Sequence, residues 1–261
     1  MIKVLLSEEL TLHLYSAVEI FVKGVDKVVI AFSGGVDSSI LAKICKDLGK
    51  HVYLVTVGFP ESHDLLFSKS ISRLSALQLH HITFEISPVD IVRDIKYVKD
   101  KLSCNNLSHI ENCLAFYQIS CVIRNNNLGN FFLTANGFDE LFCGYDRYRS
   151  YYNQGEVAIN KYMEEKLANE AHMMKEISEV INELRIESFQ PFLSEPFIKF
   201  CKNIPLKHKI TSSNDLLRKH ILREVALKIG VPKESAYKPK KAIQYGSNIH
   251  KFISKNKDLL A

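Results

Sequence analysis

The sequence predicts an α/β fold with a doubly wound, mostly parallel sheet and a helical C-terminal part. Short apolar, β-branched segments alternate with longer segments of helical periodicity as far as residue 134. Strands joined by helices need crossover connections, which make neighbouring strands parallel. Past Tyr145 the strand pattern fades and charged helical segments follow. We therefore expect a single domain over residues 1–261, made of an N-terminal helix (1–26), an α/β core (27–147) and a helical part (148–261).

Each predicted element follows from a local pattern. A first helix is expected over residues 7–22, with Ser7 as its N-cap and Gly24 as its stop. Apolar runs typical of strands buried on both faces predict strands at residues 27–32, 51–57, 81–86 and 130–134. Helical segments are predicted after the loop at 33–39 as far as Gly49, at 62–78, after Pro88, through Phe116 and Val122, and at 157–184. In such sheets ligands bind at the carboxyl ends of strands.

Composition and charge exclude several classes of protein. With 46% hydrophobic residues the chain can fill a core, and its net charge of +5 is scattered except near Lys238, Lys240 and Lys241. We therefore do not expect nucleic acid as a partner. The N-terminus lacks the shape of a signal peptide, and no apolar run approaches the roughly 20 residues that span a bilayer. We expect a cytoplasmic protein with no membrane association, whose six cysteines, Cys104 among them, are reduced and mostly structural.

The first candidate site is the loop SGGVDSS at residues 33–39, between a predicted buried strand and a helix. Its two glycines let the backbone approach an anion, the helix N-terminus supplies free N–H groups, and three serines add hydroxyl donors. A Walker loop needs a lysine before its Ser/Thr, whereas Asp37 lies in the middle of this loop. An acid beside phosphates makes sense if it holds Mg²⁺. The alternative is a serine-rich turn that only caps the helix.

A second candidate loop, ANGFDELFCGY at residues 135–145, follows the last predicted strand of the core. Asp139 and Glu140 lie just past the strand end, where they could bind Mg²⁺ or an amino group of a substrate. The alternative is that both acids cap a following helix. For Lys238, Lys240 and Lys241 the alternative to a role in the site is a solvated basic patch.

These motifs carry a family resemblance. SGGVDSS resembles the PP-loop of the N-type ATP pyrophosphatases, and residues 135–145 resemble the second signature of the synthetase domain of asparagine synthases. Three further stretches are similar to that family in the same order: VGFPESHDL at residues 57–65, the segment at 187–194, and the segment at 219–247. The resemblance runs from about residue 28 to residue 247, which is nearly the whole chain.

The resemblance implies an ATP-dependent, amide-forming ligase that adenylates a carboxylate, with aspartate first, and transfers ammonia to give asparagine, AMP and pyrophosphate. Mg²⁺ would be shared by Asp37 and Asp139, and Lys240 would stabilise charge in the transition state. Asn136 and Glu187 would complete the catalytic group. The ATP-contacting positions that it implies are Ser33, Gly34, Gly35, Asp37, Ser38, Ser39, Val57, Thr134, Ala135, Gly137, Lys219 and Gly246.

The sequence departs from the family pattern at four positions. Asn136 replaces an acid, Ala135 a glycine, Phe189 an arginine and Ser194 an aspartate, and these changes are expected near the substrate side of the site. An asparagine cannot act as a carboxylate base or pair with an ammonium group. We expect Glu187 to compensate. The alternative is a ligase for another carboxylate, such as one that performs a β-lactam-type cyclisation or a tailoring amidation.

Two-part members of the family begin with a glutaminase domain whose catalytic cysteine follows the initiator methionine, whereas Ile2 stands here. No glutaminase domain fits before Val28, so the expected nitrogen source is free ammonia or a separate glutaminase subunit. A homodimer is one possible assembly. Two further alternatives are a PP-loop enzyme that modifies tRNA, which would need an RNA-binding platform, and a nucleotide-binding descendant without catalysis.

Overall fold

The structure, a computed structural model, describes residues 2–74, 77, 79–102 and 106–260, without the side chains of residues 2–4, 257 and 260. Its described part contains a five-stranded, all-parallel sheet in the order β3-β2-β1-β4-β5. The strands are β1 (Lys27–Ala31), β2 (His51–Gly58), β3 (His80–Glu85), β4 (Phe131–Leu133) and β5 (Glu187–Phe189). The predicted α/β class with a parallel sheet is thus confirmed.

The helices lie on both faces of the sheet and at its carboxyl end. They are α1 (Ile2–Val22), α2 (Val36–Asp47), α3 (His63–Ser72), α4 (Pro88–Lys101), α5 (Leu107–Asn125), α6 (Phe138–Leu141), α7 (Arg147–Tyr152), α8 (Glu156–Asn182), α9 (Glu195–Lys202), α10 (His220–Lys228), α11 (Lys233–Ala236), α12 (Ile243–Gly246) and α13 (Ile249–Lys255). Short 3₁₀ turns occupy Pro191–Leu193, Leu206–His208 and Lys257–Leu260. In the part of the chain that the structure describes, no helix has both the length and the apolar character that crossing a bilayer requires.

The sheet separates two apolar cores, which is the reason its strands are unbroken apolar runs in the sequence. Val28 and Ile30 of β1 lie in one core, and Val29 between them lies in the other. The first core packs α1, α2 and α10 against one face of the sheet, and the second packs α4, α5 and α8 against the opposite face. Since successive strand residues point to opposite faces, both faces need apolar side chains.

The strand order reverses at β1. From β1 the chain moves outward through β2 to β3, and it then returns to add β4 and β5 on the other side, with Ile30 of β1 paired to Leu133 of β4. The loops that follow β1 and β4 therefore leave the sheet side by side at its carboxyl edge. Such a switch point is where ligands bind in open α/β sheets.

Most predicted elements are confirmed to within a few residues, and two expectations are wrong. Ser7 does not cap the first helix, because α1 begins at Ile2 and Ser7 is buried within it. Strand β5 lies past Tyr145, where no further strand was expected. Helix α3 ends at Ser72, and three residues of its predicted C-terminal turn, 75, 76 and 78, lie outside the described residues, as does Cys104. Of the remaining cysteines Cys121 is half-buried and the others are buried.

A buried hydrogen-bond chain connects β3 to the end of β1. The Thr56 hydroxyl donates to the Phe32 carbonyl at 2.5 Å, so it accepts from Nε2–H of His81 at 2.8 Å. Nδ1 of His81 is then left to accept from the Ser72 hydroxyl at 2.9 Å. Burial, aided by the charge of Lys69, lowers the pKa of His81 to about 4. The ring is therefore held neutral, as the acceptor role of Nδ1 requires.

This histidine should make stability depend on pH in acid. In the unfolded chain His81 has its ordinary pKa of 6.5, whereas in the folded protein its pKa is about 4. Between pH 6.5 and pH 4 the unfolded state therefore binds a proton at His81 that the folded state does not bind. The free energy of unfolding should fall by up to about 1.4 kcal/mol for each pH unit in that window and be unaffected by His81 above it. Urea unfolding at pH 7, 6 and 5 would measure the slope. His81→Gln should reduce this slope, whereas His51→Gln, at an exposed position, should leave it unchanged. Equal slopes for the unaltered protein and both variants would contradict the attribution of the pH dependence to His81.

Candidate functional site

A cavity of about 450 Å³ opens at the carboxyl edge of the sheet, over the ends of β1, β2 and β4. Its walls come from the two candidate loops, from α5 and α8, and from residues 240–244. The predicted site residues that line it are Ser33, Asp37, Ser38, Val57, Thr134, Ala135, Asn136, Asp139 and Lys240. The structure thus brings nine of them together around one space.

The first loop is shaped by glycine and held from behind by α11. Gly34 has φ +74°, and a Cβ there would lie 2.9 Å from the Phe67 ring. The Ser235 hydroxyl donates to the Gly34 carbonyl at 2.7 Å. Ser39 is buried and its hydroxyl faces Ser235 at 3.1 Å, so it braces the loop rather than facing the cavity. The loop presents Ser33 and Ser38, together with the start of α2, to the cavity.

Two aspartates from separate loops converge on one lysine. The Lys219 ammonium donates to both oxygens of Asp37, at 2.8 and 2.7 Å. The same nitrogen lies 2.7 Å from Oδ1 of Asp139, an ion pair without hydrogen-bond geometry. The Lys240 ammonium contacts the other oxygen of Asp139. Two carboxylates and two ammonium groups therefore form one compact cluster beside the first loop.

The cluster fixes the charge states of its members. Burial would raise the pKa of the Asp139 carboxyl, but the charges of Lys219 and Lys240 outweigh it and hold the pKa below the usual range. Burial would likewise lower the pKa of Lys240, but Asp139 and Asp37 outweigh it and the pKa lies above the ordinary value. Asp139 is thus a carboxylate, and Lys240 a cation, throughout the neutral range.

Gly144 makes this cluster possible. A Cβ on residue 144 would lie 2.0 Å from Oδ1 of Asp139 and 2.3 Å from Cε of Lys219. No side chain could occupy that space without separating the lysine from the aspartate. The φ of Gly144 lies outside the left-handed region, so backbone conformation does not require glycine here. Close packing does. Cys143, by contrast, takes a φ of 57° that favours glycine.

A smaller recess of about 40 Å³ adjoins the first loop and shares Ser33, Asp37 and Lys240 with the large cavity. It is lined by Ser33, Gly35, Val36 and Asp37 of the loop region and by Lys219, Arg223, Lys238, Pro239, Lys240 and Lys241. Lys238 donates to the Ser33 carbonyl at 3.0 Å, lies 3.6 Å from Asp64, and packs over the Phe67 ring. Lys238 and Lys240 are therefore not part of a solvated patch, because their ammonium groups are paired inside the site, whereas Lys241 is exposed.

The large cavity is also lined by an acid that belongs to none of the sequence motifs. Glu170, on α8, accepts from the Asn136 side-chain amide at 2.5 Å, and the oxygen of that amide accepts from the Thr134 hydroxyl at 2.6 Å. Burial raises the pKa of Glu170. Burial, with the charges of Glu170 and Asp139, also raises the pKa of the neighbouring Glu140 to about 8. A carboxyl group with a raised pKa is suited to exchange protons near neutral pH.

A sequence signal for Glu170 does exist. Met163, Leu167, Met174 and Ile177 recur at spacings typical of the buried stripe of a helix, and all four are buried. Glu170 occupies the position in this stripe where the pattern calls for an apolar residue. An acid inside an apolar stripe is unfavourable unless it has a partner or a function.

Three predicted site residues lie elsewhere. Glu187 is exposed at the amino end of β5, paired with Phe131, and so lies at the edge of the sheet opposite the cavity. It cannot compensate for Asn136 in this arrangement, and Glu170 is the acid beside that residue. Gly246 packs against Asp64, and Gly137 caps α6 with φ +107° against the Phe192 carbonyl.

The four departures from the family pattern do not all reach the substrate side. Ala135 and Asn136 line the cavity. Phe189 instead packs on Phe21 and Phe131, and Ser194 is the residue before α9. Only the first two can therefore change what the cavity binds directly.

A parallel sheet whose strand order reverses beside a serine-glycine loop, with a cluster of aspartates and lysines at that loop, defines an α/β domain of the PP-loop fold. The model of the asparagine synthase family matches residues 9–190 and, in a second segment, residues 182–261. The chain therefore belongs to the asparagine synthase family.

One relative is the Methanocaldococcus jannaschii protein named "Putative asparagine synthetase (glutamine-hydrolyzing) 1". The two are 30% identical over an alignment of 270 positions, and the alignment covers 90% of this chain and 48% of that protein. The chain thus spans about half the length of the curated relative that it matches.

Proposed function

We propose that this chain is an ATP-dependent, amide-forming ligase that adenylates a carboxylate and releases pyrophosphate. The observation that carries the proposal is the convergence of Asp37 and Asp139 on the Lys219 ammonium beside the phosphate-type loop. Aspartate is the first candidate substrate and ammonia the first candidate nucleophile, which would give asparagine and AMP. Membership in the asparagine synthase family supports this reaction class.

The two cavities suit the two ends of ATP. The small recess combines the loop backbone at Gly35 with the side chains of Lys219, Arg223 and Lys238, so it suits the charge of a pyrophosphate group. The large cavity continues past Val57 and Thr134, where an adenosine could lie against the strand ends. The α-phosphate would then fall between the two cavities, next to Lys240, which lines both.

The donor set also fits magnesium. Mg²⁺ prefers oxygen ligands and is commonly held by one or two carboxylates together with substrate phosphates. Asp37 and Asp139 contact the same ammonium nitrogen, so they are close enough to share one ion. Among the described residues no third His, Cys, Asp or Glu joins them in a metal-binding group. Phosphate oxygens and water molecules would supply the other ligands of an octahedral ion. When bound, the ion would neutralise charge on the phosphates.

Lys240 and Glu170 have separate roles in this proposal. Adenylation builds negative charge on the α-phosphate, and a fixed cation there lowers the barrier. Lys240 is such a cation, because Asp139 holds its ammonium in place. Amide formation requires the incoming nitrogen to lose a proton, and Glu170 is a buried carboxyl group that lines the cavity and is suited to accept it. Glu140 also lines the cavity, but its pKa of about 8 leaves it mostly protonated at neutral pH. The nitrogen would arrive as free ammonia or from a glutaminase on another polypeptide.

Replacing Glu170 with glutamine should therefore separate the two half-reactions. We expect amide formation to fall by about 10²-fold while acid-dependent exchange of pyrophosphate into ATP stays within about threefold of the unaltered protein. Radiolabelled exchange and product chromatography would measure the two rates. Glu165→Gln, at an exposed position of the same helix, is the matched control. Equal loss of both rates would mean that Glu170 does not act in the second step.

The proposal as a whole is tested by the nucleotide product. Purified protein with ATP, Mg²⁺ and a panel of carboxylic acids, with and without ammonia, should form AMP and pyrophosphate in an acid-dependent manner. Asparagine should appear when aspartate and ammonia are present. Formation of ADP, or no acid-dependent turnover with any acid, would refute the ligase assignment.

A ligase for a different carboxylate is the second candidate, and Asn136 favours it. Its side chain replaces an acid with an amide at the cavity wall and turns that amide toward Glu170. The wall is therefore altered where a substrate amino group would bind. Acid-dependent AMP formation with an acid other than aspartate, and none with aspartate, would select this candidate.

A further inference from the structure

Lys219 owes its position to a short turn that precedes α10, residues 215–219, which we call the lysine turn. Arg218 and Lys219 have φ values of 49° and 54°, in the left-handed region that side chains with a Cβ disfavour. Two such residues in succession persist only where the surroundings hold them. The Lys219 side chain is 1% exposed and reaches the two aspartates from this turn.

The carboxylate of Asp215 organises the lysine turn. Its Oδ1 accepts from the backbone N–H groups of Leu217 at 3.1 Å and Arg218 at 2.9 Å. Its Oδ2 accepts from the N–H of Thr211 at 3.0 Å and lies 2.6 Å from Nε2 of His220. Although burial opposes it, donation from the backbone holds the pKa of Asp215 below its usual range. The group is therefore a carboxylate that holds the backbone of the turn through Oδ1 and connects it to Thr211 and His220 through Oδ2.

Two arginines connect the same turn to the rest of the site. Arg218 donates to the Gly144 carbonyl at 3.2 and 3.1 Å, beside the second loop. Arg223 donates to the Arg218 carbonyl at 2.8 Å and to the Lys238 carbonyl at 3.2 Å. Arg223 itself lines the small recess. Replacing it would therefore both disturb the lysine turn and remove a direct contact with a ligand, and the two effects could not be separated. Asp215 lines neither cavity, and it can act on a ligand only through the turn.

We propose that Asp215 is a positioning residue for phosphate binding: it holds the lysine turn in the conformation that directs Lys219 to the place shared by Asp37 and Asp139. The proposal rests on the proposed function, in which Lys219 contacts the pyrophosphate portion of ATP. Loss of the Asp215 carboxylate releases the turn, and the Lys219 ammonium then no longer has a fixed location.

A double-mutant cycle on the full chain tests the coupling. The variants are Asp215→Asn, Lys219→Met and the double variant, with Leu216→Ala, which changes an exposed side chain of the same turn, as control. The first readout is calorimetric affinity for inorganic pyrophosphate with Mg²⁺, and the second is kcat and KM for ATP. We expect Asp215→Asn to weaken pyrophosphate binding about tenfold and the double variant to match Lys219→Met within about twofold, because the two residues act as a unit.

The outcomes are distinct. Two results would overturn the role of Asp215. One is a loss of pyrophosphate affinity in the double variant equal to the product of the two single losses, and the other is unchanged affinity in Asp215→Asn. If Asp215→Asn does not fold, His220→Gln replaces it in the cycle, because it removes a single contact of Asp215. His220→Gln should weaken pyrophosphate binding in the protein that has Lys219, and it should have no further effect in the Lys219→Met variant. Coupled losses of affinity in a protein that shows no acid-dependent turnover would support the role of Asp215 while refuting the proposed ligase reaction.

Discussion

Lys240→Met should lower the rate of AMP formation by about 10²- to 10³-fold, with little change in affinity for ATP. The substitution keeps the length of the side chain and removes the cation that Asp139 holds between the two cavities. In the proposed reaction Lys240 stabilises negative charge that develops mainly in the transition state. Its removal should therefore lower kcat and leave the affinity for ATP nearly unchanged. Single-turnover kinetics with saturating ATP would measure the step directly.

Lys233→Met is the matched control for this experiment. Residue 233 is exposed on α11, a few residues before the cluster, and lines neither cavity. Its variant should keep the unaltered rate. A loss of ATP affinity in Lys240→Met with kcat preserved would place Lys240 among ground-state ligands and remove its proposed role in adenylation.

Asp139→Asn should have the second large effect, and it should act on both activity and stability. The substitution would leave the Lys219 ammonium with Asp37 as its remaining carboxylate contact, and it would remove the carboxylate that the Lys240 ammonium contacts. Breaking a buried charge pair in this way costs about 3 kcal/mol in the free energy of unfolding. Removal of one proposed magnesium ligand should also lower AMP formation by about 10²-fold and raise the Mg²⁺ concentration needed for half-maximal rate.

Denaturant unfolding and a magnesium titration of the rate measure these two effects separately. Asp100→Asn, at an exposed position on α4, controls for the change of charge. Since the pKa of Asp139 lies below its usual range, the loss in stability should be present at neutral pH and shrink only in strong acid. Unchanged magnesium dependence in Asp139→Asn would argue against a shared metal site at this carboxylate.

The sequence predicts the core of this molecule because its signals are local. Buried parallel strands give continuous apolar runs, and β1 and β2 begin where those runs begin. The loop at 33–39 is recognisable because glycines, serines and Asp37 follow one strand directly. Nine predicted site residues line one cavity for the same reason, since most of them belong to loops at adjacent strand ends.

The remaining parts of the site depend on contacts between distant segments. Strand β5 has three residues, too few for a periodic pattern, and it is fixed by pairing with β4. Glu170 lies on a helix between the second loop and β5, and only the folded chain brings it to Asn136. Asp215 carries no motif of its own, because its role depends on backbone N–H groups that no sequence displays.

The order of the charged groups along the chain has a consequence for synthesis on the ribosome. Asp37 and Asp139 emerge early, and the five strands of the described part of the chain have emerged by Phe189, whereas Lys219 and Lys240 come later. A nascent chain of that length would bring two carboxylates toward each other without a counter-ion, which like charges oppose. Closure of the sheet between β1 and β4 should therefore be completed late in translation, when residues 215–241 dock and neutralise the acids.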